Sequence, residues 1–115
     1  MAIVSSKDIS PALRLITVSE RLDLQGTEKI QQSFVSLTRT GQQNIVVDIA
    51  DVPFLSSVGI RMLITSGKAL KETGGRMALV VGHNVAAIKT LKMTCVDAIL
   101  PMFEKFAEAE AALKS

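Results

Sequence analysis

Apolar and polar positions change period several times along the chain, and the changes mark its elements. Leu13 to Val18, "LRLITV", is β-branched and partly alternating, which predicts a strand. "AIVS" at Ala2 to Ser5 predicts a short strand before it, with Pro11 in the turn between them. After "DLQGT", the spacing of Ile30, Phe34 and Leu37 is that of a helix burying one stripe, ended by Gly41. "NIVVDIA", Asn44 to Ala50, is almost continuously apolar, as a strand covered on both faces should be. Val52 and Pro53 close it.

A second helix is predicted from Ser57 to Glu72, stopped by Thr73-Gly74-Gly75. "RMALVVG", Arg76 to Gly82, predicts another buried strand, and Asn84 caps a third helix through Val85, Ile88 and Leu91. "AILPMF" holds a last short strand, followed by an alanine- and glutamate-rich helix from Phe103 to Leu113. Strands alternating with helices over so short a chain imply an α/β sheet. There is no repeat, linker or low-complexity segment, so residues 1–115 are read as a single domain.

Composition narrows the function classes. The chain has 115 residues, 48% of them hydrophobic and 21% charged, which suits one domain with a real core. The formal net charge of +2, with four Phe and no Trp or Tyr, offers neither a basic patch nor a stacking platform for nucleic acid. The single cysteine, Cys95, excludes an intramolecular disulfide and fits a reducing compartment. The N-terminus lacks the pattern of a signal peptide, and the apolar runs fall short of the about 18 to 20 residues of a membrane helix. A cytoplasmic protein without membrane insertion is therefore expected.

Catalytic chemistry is hard to assemble. His83 is the lone histidine and is read as a loop or surface residue, since no GxSxG elbow accompanies it. Cys95 has no CxxC partner and is read as an inert packed thiol. Gly74-Gly75 and Gly82 match neither a P-loop nor GxGxxG. No catalytic residue, cofactor or metal site is assigned, and the protein is not read as an enzyme.

The junction "FLSSVGI" is the unusual feature. Serine is a preferred N-cap, stabilising a helix by about 1 kcal/mol, but a cap uses only one of Ser56 and Ser57. Gly59 stands in the first helical turn, where glycine costs about 0.8 to 1 kcal/mol relative to alanine. It fits close approach of another surface, or of a modifying active site, to the backbone beside Ser57. On a helical wheel Ile60, Leu63, Ile64, Gly67 and Leu70 form the core face. Val58, Met62, Thr65 and Ala69, with Arg61 beside them, form a second, weaker apolar stripe. Either another helix covers that stripe, such as the C-terminal one, or a partner protein docks on it.

"IVVDIADVPFLSSVGIRMLI" resembles the signature of the STAS domain, the anti-sigma-factor antagonist family. "RLDLQGTEKI" is similar to the family's earlier Leu-Asp segment. "GGRMALVV" and "HNVAAIKTLKMTCVDAILPMF" are similar to its later strand, helix and final strand. The resemblance spans nearly the whole chain. It implies a mixed sheet of about four to five strands with about four helices packed mainly on one face. It also implies a partner switch: the unphosphorylated antagonist binds an anti-sigma factor that is a serine kinase of the histidine-kinase-like ATPase type, and so releases a sigma factor. Phosphorylation by that kinase breaks the complex, and a PP2C-type phosphatase restores it.

By position in the motif the phosphoacceptor is Ser57, with Ser56 as second choice. The partner-binding residues are read as Asp23, Ser56, Ser57 and Gly59 of the motif together with Val58, Arg61, Met62 and Thr65 of the stripe, and Asp48 also sits at a family-typical place. The chain departs from the commonest pattern at three points. Ser56 stands where an acidic residue is usual, Val58 replaces a small hydroxyl residue, and "MTCVD" lacks the usual glycine near Cys95. The alternative is a constitutive STAS interaction subunit of a larger signalling or lipid-transport assembly, in which Ser57 serves only as a cap.

Overall fold

The computed structural model describes residues 4–39 and 43–114. Five strands form one mixed sheet whose spatial order follows the chain: β1 (Val4–Ser10), β2 (Leu13–Val18), β3 (Asn44–Asp48), β4 (Met77–Val80) and β5 (Met102–Phe103). β1 and β2 form an antiparallel hairpin about the Pro11-Ala12 turn, and every later pairing is parallel. The helices are α1 (Leu24–Thr38), α2 (Ser57–Glu72), α3 (Val85–Met93) and α4 (Phe106–Lys114), with a 3-10 turn over Val96–Ala98.

The expected elements are present, with shifted ends. The first strand covers Val4–Ser10, so Ala2 and Ile3 of the expected strand lie outside the described residues, as does Gly41. α1 ends at Thr38, where the Arg39 amide turns back to the Ser36 carbonyl. α2 has the expected bounds, with Leu70 receiving the Thr73 and Gly75 amides at its close. The last helix starts at Phe106 rather than Phe103, because Phe103 belongs to the sheet and accepts the Val81 amide.

β3 reads as a continuous apolar run because it is central: Ile45, Val46 and Val47 are all fully buried. Alternation sends Ile45 and Val47 into the main core with Phe34, Leu63 and Leu91 of α1, α2 and α3. Val46 turns to the other face and joins Leu13, Ala78, Val80, Ala109 and Leu113. Three helices thus cover one face of the sheet, and α4 alone covers the second. No described helix is long and apolar enough to cross a membrane.

Candidate functional site

Parallel β2, β3 and β4 all point their carboxyl ends the same way, so α1, α2 and α3 all begin at that end of the sheet. Each start is capped by a side chain. Asp23 Oδ1 accepts the Gly26 amide at 2.8 Å, Ser56 Oγ accepts the Gly59 amide at 3.4 Å, and Asn84 Oδ1 accepts the Ala87 amide at 3.2 Å. Helix N-termini carry partial positive charge, so this end of the molecule favours anions.

The loop that carries the two serines is held on both sides. Leu22 and Leu55 form an isolated parallel bridge: the Leu22 amide donates to Phe54 O at 2.8 Å and the Ser56 amide to Leu22 O at 2.9 Å. On the other side Asn84 Nδ2 donates to Ile49 O at 3.1 Å and to Val52 O at 2.8 Å. Asn84, expected only as a cap, is therefore also a clamp on the β3–α2 loop. Asp48 tightens the same loop by accepting the Ala50 amide at 2.9 Å.

The serines divide their work. Ser56 Oγ accepts the Gly59 amide and donates to Leu22 O at 2.6 Å, so its hydroxyl is consumed by the fold. Ser57 is the first helical residue, is exposed, and its hydroxyl has no hydrogen bond among the described residues. Val58 beside it is 37% exposed, and Phe54 and Leu24 are exposed apolar side chains at the same end. Arg21 lies over the Phe54 ring at 4.5 Å from its centroid, and its Nε donates to Asp23 Oδ2 at 3.0 Å. The Gly26 amide, with the Arg21 guanidinium, holds the Asp23 carboxyl below its ordinary pKa.

Three expectations need correction. Gly59 does not wait for an external surface: it is buried, and a Cβ there would lie 2.8 Å from Leu22 Cβ and 3.1 Å from Leu22 O. The close approach that demands glycine comes from the chain's own Leu22. Met62, expected on the docking stripe, is 4% exposed because α1 packs alongside α2. That stripe is partly covered by α1 and not by α4, which lies across the sheet. What stays open on it is Val58, Arg61, Thr65 and Ala69. Lastly, Cys95 is not packed but exposed, in a left-handed backbone conformation with φ 60.

Two residues escaped sequence reasoning. Gly26 is required because a Cβ there would collide with Arg21 O at the helix start. Thr27, 1% exposed, lines a cleft of about 140 Å³ between α1 and α2 with Gln31, Val58, Arg61 and Thr65, and its buried hydroxyl has no partner among the described residues. His83 is a surface residue, as expected, with Nε2 at 2.7 Å from Glu104 Oε1. Among the described residues no cluster of three His, Cys, Asp or Glu side chains is placed to hold a metal.

A family model described as the STAS domain matches residues 5–109. No curated protein matches the chain in sequence at a significant level. Solved structures match over almost the whole length. An anti-sigma-factor antagonist (STAS) domain protein from Planctomyces limnophilus superposes with a TM-score of 0.86 at 24% identity, covering 99% of this chain and 100% of that one. An anti-sigma factor antagonist from Mycobacterium paratuberculosis gives 0.85 at 20%, covering 97% and 93%. The Bacillus cell fate determinant SpoIIAA in its phosphorylated form gives 0.67 at 15%, covering 95% and 97%. At such identities the likeness establishes the fold.

Proposed function

Because the chain belongs to the STAS domain family, we propose that it is an anti-sigma-factor antagonist whose binding is switched by phosphorylation of Ser57. It acts by binding and not by catalysis, in the cytoplasm. Its partner is an anti-sigma factor that doubles as a serine kinase of the histidine-kinase-like ATPase type, and a PP2C-type phosphatase resets it. The observation that carries this reading is the division between the serines. Ser56 is spent on capping α2 and tying down Leu22, whereas Ser57 presents an unengaged hydroxyl beside exposed Val58 and Phe54.

The same geometry supports a switch in binding over a switch in folding. Phosphate adds about −1.5 to −2 charges and three acceptor oxygens. At the first position of α2 the helix N-terminus favours that anion by about 0.3 to 1 kcal/mol. Arg61, one turn on and without an ion-pair partner among the described residues, adds a cation on the same side. The fold therefore tolerates the modification. One of the similar structures, SpoIIAA, is of a phosphorylated form. A partner covering Ser57, Val58, Arg61, Thr65 and the Asp23 corner must instead desolvate the dianion, which removes on the order of several kcal/mol of affinity.

The test is to incubate the protein with ATP and its cognate kinase and to locate phosphate by mass spectrometry. Modification at Ser57, retained in Ser56→Ala and lost in Ser57→Ala, is the expected result, together with weakened partner binding by Ser57→Asp. A protein that is never modified, and whose Ser57→Asp variant binds as well as wild type, is a constitutive interaction subunit instead.

A further inference from the structure

Far from the serines, the start of β4 leaves its ladder incomplete. The ladder alternates: Ile45 and Ile49 of the β3 side bond to Arg76 O and Val80 O, while the Leu79 and Val81 amides donate outward to Pro101 O and Phe103 O of the β5 side. By that period of two, the Met77 amide also points outward. β5 has not begun at that level: its first pair is Leu79 with Met102. Met77 is 4% exposed, and among the described residues no bond joins its amide to the β5 side. An N–H turned away from its ladder needs an acceptor from elsewhere.

Met77 lines a cavity of about 290 Å³ between α2, the β5 approach and the end of α4. Leu100, Phe103, Leu113 and the half-exposed Ile99 give it apolar walls. Lys71, in the last turn of α2, stands at its edge and makes no ion pair or hydrogen bond among the described residues. Arg76 is a second bordering cation, with its guanidinium donating to Leu113 O at 2.7 Å. An apolar cavity with a few convergent polar groups is the usual form of a small-molecule site. Here the charged side chains, Lys71 and Arg76, are both cations.

We propose that this cavity binds a small amphipathic carboxylate, its chain against Leu100, Phe103 and Leu113 and its carboxylate between Lys71 and the Met77 amide. Taking the about 30 Å³ that one water occupies, the cavity holds about ten non-hydrogen atoms, the size of octanoate. The site is separate from the Ser57 surface, so it stands or falls independently of the phospho-switch.

The test is a titration of isotopically labelled protein with sodium octanoate, followed by NMR, beside two controls: octanol, with the chain but no charge, and acetate, with the charge but no chain. Saturable shifts at the Met77 amide and the Leu100 methyls with octanoate, at least fivefold weaker with either control, are the expected result. Lys71 and Ile99 are exposed, so Lys71→Gln and Ile99→Asp should fold, and each should weaken octanoate binding about tenfold. Absence of saturable shifts at millimolar octanoate, equal binding of octanol, or unchanged affinity in both variants overturns the proposal.

Discussion

Replacing each serine of the pair by alanine separates the structural from the switching role. In Ser56→Ala the α2 cap is lost, worth about 1 kcal/mol, and with it the 2.6 Å bond from Oγ to Leu22 O. Leu22 O keeps the Ser56 amide at 2.9 Å, so no buried carbonyl is orphaned and the second loss stays near the net value of one hydrogen bond. The sum is about 1 to 2 kcal/mol. Ser57→Ala removes an exposed hydroxyl that bonds to nothing described and should stay within about 0.5 kcal/mol of wild type. Urea denaturation followed by circular dichroism reads the difference: with a slope of about 2 kcal/mol per molar, Ser56→Ala moves the midpoint down by about 0.5 to 1 M and Ser57→Ala barely moves it. If Ser57→Ala proves as destabilising as Ser56→Ala, or Ser56→Ala proves neutral, Ser57 is a cap and the division of labour between the serines is wrong.

Three further outcomes follow from the packing. Thr27→Val keeps the β-branched shape and removes an unpartnered buried hydroxyl, so it should stabilise by about 1 kcal/mol, seen as a melting-point rise of about 3 to 5 °C; a fall in Tm would mean that the hydroxyl is satisfied. Cys95→Gly relieves a left-handed residue that costs about 1 to 2 kcal/mol, less the added chain entropy of glycine, and should gain about 0.5 to 1 kcal/mol in the same assay; a loss would refute it. Asp23 has a lowered pKa in the fold, so the stability it contributes is present above the unfolded carboxyl value and disappears as pH falls through the folded one. Asp23→Asn can still cap α1 but cannot titrate, so its stability should vary less than that of wild type between about pH 5 and 2; parallel profiles would contradict this.

Much of the fold is written in local pattern. The bounds of α2, the buried run of β3 and the cap at Asn84 are all visible because each depends on neighbours within one or two turns. The site was less legible, because its decisive contacts join distant segments. Gly59 signals that something comes close, but only the fold shows that it is Leu22, far back in the chain. A wheel places Met62 opposite the core face, yet cannot show that α1 lies against that side and takes Met62 into the core. The clamp from Asn84 to Ile49 and Val52 likewise spans two loops that only the parallel sheet brings together. Cys95 misled for another reason: free cysteine is usually buried, and a left-handed backbone position leaves no trace in hydrophobic pattern.

The strand order also bears on how the protein is made. Because spatial order equals chain order, each strand leaving the ribosome finds its partner already present, and no later strand must be inserted between earlier ones. The second face of the sheet has no such advantage. Val46, Ala78 and Val80 are covered by Ala109 and Leu113, which are synthesised after every strand is complete. Until α4 docks, that face of the sheet stays bare and apolar.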